Sequence, residues 1–274
     1  MTIEISGRPV DVHANGLRHH LLAYGSNNRG DVVILPGITS PAATAEFIAV
    51  PISEQGFRVH VPDLRGRGAT DVPPPGSYHL TDYAADVAGL VDALELREPV
   101  IVGHSLGARI AAAYAVLHGA DPLGHLVLVD PPTSGPGRGP YPTTWEAFQT
   151  QLREAKRGTT AEEVRRFYPH WPERELQLRA EVLASCDETA IRETYAGFEA
   201  EDFFPYWEQI KPPASLIRGS DSPMVPPKAA AELATANPGV PIYSVPGAGH
   251  MVPWDNFTGF LDVLLPLLPA TQEN

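Results

Sequence analysis

Three residue types that together can carry out nucleophilic acyl chemistry stand in separate stretches of this 274-residue chain. Ser105 lies in Gly103-His104-Ser105-Leu106-Gly107, His250 ends Pro246-Gly247-Ala248-Gly249-His250, and carboxylates are available at Asp130 and Asp221. A serine hydroxyl is a poor nucleophile at neutral pH. An imidazole must take its proton and later return it to the leaving group. A buried carboxylate would fix the imidazole tautomer and stabilise the imidazolium. The backbone N–H groups of Leu106, at the start of an expected helix, and of Ile38 are candidates to receive the developing oxyanion.

The flanks of Ser105 say what must hold it. Pro99-Val100-Ile101-Val102 is an apolar run short enough for a buried strand, and Ala108 to Leu117 reads as a helix rich in small residues. Strand, G-x-S-x-G and helix make a nucleophile elbow, in which a sharp turn holds the serine strained while glycines let strand and helix approach. The pentapeptide alone also occurs in ordinary turns, so the flanks carry the catalytic reading.

The other elements follow in order. Asn15-Gly16 between extended runs predicts a hairpin. Asp31 to Leu35, Phe57 to Pro62, His125 to Val129, Ala214 to Arg218 and Ile242 to Val245 read as strands. Helices are expected over 42–55, interrupted by Pro51, over 81–96 with Thr81 as N-cap, over 227–236, and over 254–268 as the closing element. Wholly apolar strands alternating with helices imply an α/β fold, a mostly parallel central sheet covered on both faces. The stretch 135–211 breaks the alternation. It is more charged, carries eight of the chain's bulky aromatics at helical spacing, and is expected to be a helical lid inserted between core segments 1–134 and 212–274.

Ligand-binding loops of such sheets lie beyond the carboxyl ends of the strands. Ser105, Asp130, His250 and Gly37-Ile38 all fall there, and the order serine, acid, histidine matches serine hydrolases of this architecture. For the acid, the loop after the penultimate expected strand is Gly219-Ser220-Asp221-Ser222-Pro223. The common hydrolase pattern G-x-x-D-x-x-x-P puts Ser222 where an acid would stand and Asp221 one residue early. Asp130 ends the strand next to the elbow and is favoured, with Asp221 in reserve. The bland alternative is that Asp130 merely caps the turn before Pro131.

Bulk properties narrow the partners. A hydrophobic fraction of 43% supports a sizeable core, and a net charge of −13 argues against nucleic acid. An anionic substrate would need local cations to offset that field. The single cysteine, Cys186, forms no intrachain disulfide and reads as an inert buried thiol in a reducing compartment. Met1 to Ile5 shows no leader pattern and no run reaches membrane-span length, so a cytoplasmic protein acting on a small molecule, without membrane partners, is expected. No paired Cys/His spacing suggests a metal.

The chain resembles the α/β-hydrolase superfamily and, more narrowly, the N-formylmaleamate deformylase family of bacterial nicotinate catabolism. The resemblance rests on Ala14-Asn15-Gly16-Leu17-Arg18, Pro36-Gly37-Ile38-Thr39-Ser40-Pro41, Asp63-Leu64-Arg65-Gly66-Arg67-Gly68 and the elbow through Arg109. It continues in Leu128-Val129-Asp130-Pro131-Pro132, Ser134-Gly135-Pro136-Gly137 and Ala248-Gly249-His250-Met251-Val252-Pro253-Trp254-Asp255. It covers most of the core and less of the lid. It implies hydrolysis of an N-formyl or similar unsaturated amide carrying carboxylates, with release of formate and no cofactor, and an acid that matches Asp130.

Arg109, Arg65, Arg67 and Arg138 then become candidate carboxylate clamps, since guanidinium binds carboxylate bidentately, with Thr39 and Trp254 as further substrate contacts. Surface or structural ion pairing is the plain alternative for each arginine. His19, His20 and His104 read as structural, and Trp145, Trp171 and Trp207 as lid packing. Ser105 in the elbow disfavours an aspartate-nucleophile dehalogenase or epoxide hydrolase. A carboxylesterase or lactonase, a C–C hydrolase of ring-fission products, and a non-turnover ligand receptor on the same fold remain open.

Overall fold

The chain enters the sheet through a hairpin of β1 (Arg8–Ala14) and β2 (Leu17–Tyr24), joined by Asn15-Gly16. Both turn residues have positive φ, 47° and 74°, which matches the right-handed twist of the flanking strands. The computed structural model describes residues 3–26, 29–119 and 123–269, so Met1 and Thr2 of the expected leaderless start lie outside the described residues. Then follow β3 (Asp31–Leu35), a 3-10 turn over Ala42–Ala45, α1 (Glu46–Glu54), β4 (Arg58–Pro62), α2 (Leu80–Ala93), β5 (Val100–His104), α3 (Leu106–Leu117) and β6 (His125–Val129). Between β6 and β7 (Ala214–Gly219) come α4 (Trp145–Arg157), α5 (Ala161–Arg165), α6 (Glu173–Val182), α7 (Glu188–Ala200) and α8 (Phe204–Trp207). The chain closes with α9 (Pro227–Ala236), β8 (Ile242–Val245), α10 (Val252–Asp255) and α11 (Phe257–Leu264).

The strand order is β1-β2-β4-β3-β5-β6-β7-β8. β1 and β2 pair with each other antiparallel, β2 runs antiparallel to β4, and all pairs from β4 to β8 are parallel. The apolar strands are explained by two-sided burial. Val33, Leu35, Ile101, Leu126, Leu128 and Leu216 face one core with α2 and α3. Their alternates Val32, Ile34, Val100, Val102, Val127, Val129 and Ile217 face a second core with α1 and α11. Among the described residues, no helix is long and apolar enough to cross a membrane.

Three element boundaries differ from expectation. The helix over 42–55 breaks at Ala45 rather than at Pro51, because α1 runs through the proline and forfeits only the bond to the Phe47 carbonyl. Helix α2 starts at Leu80, not after Thr81. Asp82 reaches back to accept the His79 N–H at 2.9 Å, making His79 the N-cap. The closing helix is split at Asn256, whose side chain accepts from the Gly259 N–H at 2.9 Å and starts α11 afresh.

Candidate active site

The tightness of the elbow is measured by its glycines. A Cβ on Gly103 would lie 2.2 Å from the Gly107 carbonyl oxygen, and one on Gly107 would lie 1.9 Å from the Leu35 carbonyl oxygen. The first glycine lets β5 pass under α3, and the second lets α3 press on β3. Ser105 itself sits at φ 56°, ψ −115°, a conformation costing a non-glycine residue on the order of 1–3 kcal/mol. Its N–H is held by the Val129 carbonyl at 2.9 Å, and Leu106 begins α3, leaving its N–H among the helix-end donors.

A hydrogen-bonded chain runs from this serine. Ser105 Oγ lies 2.9 Å from His250 Nε2, and His250 Nδ1 lies 2.8 Å from Asp130 Oδ2. The carboxylate fixes the tautomer: Nδ1–H donates to Asp130, so Nε2 is left to accept from the serine hydroxyl. Asp130 is fully buried and, at φ 48°, occupies the left-handed region that aspartate tolerates better than most residues. Its Oδ1 accepts the Gly219 N–H at 3.1 Å, and its Oδ2 also accepts the Ser222 hydroxyl. Ser222, at the position where the loop pattern would put an acid, thus donates to Asp130 instead. Asp221 is exposed, accepts only from Ser220 Oγ at 2.9 Å among its side-chain bonds described, and does not meet His250.

The histidine loop is pinned on two sides. Asp255 accepts the Gly249 N–H at 2.9 Å, and His104 Nε2 lies 3.0 Å from the His250 carbonyl. Burial, with the neighbouring His250, pushes His104 down to about 3, so its neutral ring donates Nε2–H to that carbonyl. His19 and His20 lie elsewhere, against Asp86 and Asp11.

A cavity of about 190 Å³ stands over Ser105 and His250, lined among others by Ile38, Thr39, Tyr141, Gln151, Arg179 and Met224. Larger clefts of about 530 and 630 Å³ touch neither Ser105 nor His250, so chemistry rather than size marks the site. The Tyr141 ring stacks on Phe198 at 4.4 Å, and its hydroxyl interacts with the Thr143 and Ser105 side chains. Burial raises its pKa above the usual phenol range, keeping it a neutral donor.

The expected arginine clamps are not in this cavity. Arg65 is tied to Asp86 through Nε and Nη2, each at 2.6 Å. Arg67 donates to the Ile38 and Arg65 carbonyls and to Tyr83 and Thr194. Arg109 turns away from Ser105 and donates to the Ser134, Phe198 and Glu201 carbonyls, stapling α3 to the end of α7. Arg138 lies in the 530 Å³ cleft against Glu232 and Asp202. Each bonds to partners within the chain, and none of the four is among the residues that line this cavity. Thr39 does line it. Trp254 does not; it packs on His104 at 5.5 Å and Trp171 at 5.1 Å.

Arg179, Gln151 and Tyr141 were missed by sequence reasoning. For Arg179 the signal was present: Leu176, Arg179 and Leu183 are spaced i, i+3, i+7 on one buried face, and an arginine replaces an apolar residue there.

The sheet and the serine at its carboxyl edge define the class, and the chain belongs to it: residues 32–257 match the family model described as alpha/beta hydrolase fold. It is a hydrolase of that family. More narrowly, the chain is 38% identical to N-formylmaleamate deformylase of Pseudomonas putida, over 91% of this chain and 92% of that protein. It superposes on the crystal structure of the N-formylmaleamic acid deformylase of Pseudomonas putida S16 with TM-score 0.87 and 37% identity, covering 94% of this chain and all of the other. It is 29% identical to 2-(acetamidomethylene)succinate hydrolase of Mesorhizobium japonicum over 79% of this chain and 80% of that protein. The resemblance read from the motifs therefore holds at the level of fold and family.

Proposed function

We propose that this protein hydrolyses a small carboxylated amide, an N-formyl compound of the N-formylmaleamate type, through an acyl-enzyme. The observation that carries this reading is the Ser105–His250–Asp130 hydrogen-bonded chain at the floor of a cavity small enough for a short substrate. Its relatives named for amide hydrolysis support the substrate class.

Ser105 Oγ attacks the formyl carbonyl while His250 Nε2 takes the hydroxyl proton and Asp130 stabilises the resulting imidazolium. The N–H groups of Leu106 and Ile38 hold the oxyanion, reinforced by the positive end of α3. Collapse breaks the C–N bond, His250 protonates the departing amide nitrogen, and a primary amide leaves. His250 then deprotonates water, which attacks the formyl-serine, and formate is released with Ser105 regenerated. Residues 135–211 act as the cap that closes the cavity, contributing Tyr141, Gln151 and Arg179. We place the reaction in the cytoplasm, a reading supported by a lone buried cysteine whose thiol is pushed up to about 12 by burial and is inert.

Formate release from N-formylmaleamate by the purified protein is the test, run beside simple esters. Multiple turnover is expected, lost in Ser105→Ala with binding retained. Turnover of esters alone would replace this reading with an esterase or lactonase, and binding without turnover would replace it with a receptor.

A further inference from the structure

The Asp130 carboxylate is wholly withdrawn from solvent, and its partners are neutral until the imidazole takes a proton. Among the described residues no lysine or arginine pairs with it; its bonds come from the Gly219 N–H, the Ser222 hydroxyl and the His250 ring. A buried carboxylate stays ionised only where donors replace the water it has lost. A fixed cation would answer the charge permanently and leave less of it to attract an imidazolium. A hydroxyl and an amide N–H hold the charge without cancelling it.

Ser222 is 3% exposed and is gripped on two sides. Its Oγ accepts the Met224 N–H at 3.1 Å, and its proton goes to Asp130 Oδ2. The loop that carries it is tied to the histidine loop: the Asp221 N–H donates to the Ala248 carbonyl at 2.9 Å and the Ser220 N–H to the Val245 carbonyl at 3.0 Å. It is tied to the loop after Asp130 as well, since Thr133 Oγ1 donates to the Met224 carbonyl at 2.6 Å. Ser222 and His250 converge on Oδ2 while Gly219 holds Oδ1, so turning the carboxylate away from His250 breaks bonds at both oxygens. With the acid carried at the end of β6, the loop after β7 is left to hold a donor to that acid.

We propose that Ser222 is a positioning residue for the triad: its hydroxyl fixes Asp130 Oδ2 on His250 Nδ1 and thereby keeps Nε2 aimed at Ser105. This role rests on the Ser105–His250–Asp130 reading above and adds a fourth group that acts through the acid. Ser222 is not among the residues lining the cavity over Ser105, so its effect falls on the rate and not on substrate binding. When the serine proton reaches His250, the new positive charge is met by an oxygen whose place is already set, with no side chain left to reorganise.

The test uses Ser222→Ala, which removes the hydroxyl, beside Ser222→Thr and Ser222→Val, near-isosteres that keep and lose it. The whole protein is followed by kcat and KM for formate release, by the rate at which a fluorophosphonate labels Ser105, and by the low-field NMR resonance of the proton between His250 and Asp130. Ser222→Ala is expected to lower kcat about 10-fold with KM within about 2-fold, to slow labelling by a similar factor and to displace the resonance. Ser222→Thr is expected to stay within about 3-fold of wild type, and Ser222→Val to follow Ser222→Ala. Wild-type labelling with the resonance in place in Ser222→Ala overturns the proposal. Equal losses in Ser222→Thr and Ser222→Val also overturn it, because they would make Ser222 a packing residue. Labelling does not depend on the acyl substrate. If no formate is released yet labelling falls in Ser222→Ala and holds in Ser222→Thr, the amide reading fails and the positioning role stands.

Discussion

Asp130→Asn is the perturbation that bears most directly on the site. Asp130 Oδ2 is 2.8 Å from His250 Nδ1, and the acid is completely buried, so asparagine fits the space but loses the charge. Because Ser222 donates its hydroxyl to Oδ2 and Gly219 its N–H to Oδ1, both oxygens already sit among donors. An amide NH₂ placed at either oxygen faces a donor. Placed toward His250, it drives the proton to Nε2, where it blocks acceptance from Ser105. Loss of the acid in such triads costs on the order of 10⁴ in kcat, equivalent to about 5.5 kcal/mol of barrier. Asp221→Asn, at an exposed position in contact with Ser220, is expected to stay within about 2-fold of wild type. Ser222→Asp in the Asp130→Asn background puts a carboxylate on the residue that now bonds the acid, and about 10-fold recovery is expected. Steady-state formate release measures all three, with thermal melts confirming that each variant is folded. An Asp130→Asn enzyme retaining a tenth of wild-type kcat, or a collapse confined to Asp221→Asn, would refute the assignment of Asp130.

Two further predictions concern the scaffold. Gly107→Ala puts a methyl 1.9 Å from the Leu35 carbonyl oxygen and 2.8 Å from that of Pro36, backbone atoms that cannot swing aside, so a loss of about 3 kcal/mol or more and a clear fall in Tm are expected. His104, pushed down to about 3 from 6.5, binds fewer protons folded than unfolded, so stability present above pH 6.5 is lost as pH falls toward 3. One such group contributes about 1.4 kcal/mol per pH unit inside that window, and urea midpoints between pH 4 and 6 should fall less steeply in His104→Gln; parallel slopes would refute it.

What the sequence by itself determined is local. Gly103, Ser105 and Gly107 between a short apolar run and a small-residue helix specify a strand–turn–helix because the steric demands involve near neighbours and β3 alone. Two-sided apolar strands likewise announce a covered parallel sheet, since period and composition are written residue by residue. The acid was only half legible. Asp130 and Asp221 both stand at strand ends, and choosing between them depends on β6 lying beside β5 and on where residue 250 arrives from 120 positions away. The arginines were the least legible, because a long side chain can bend to whichever acceptor packing leaves nearby. Arg109 starts one turn from Ser105 yet ends on the Ser134 and Phe198 carbonyls, while Arg179, 74 residues beyond Ser105, lines the cavity over that serine. Tertiary packing alone decides which acceptors each buried guanidinium reaches and which of them lines the cavity.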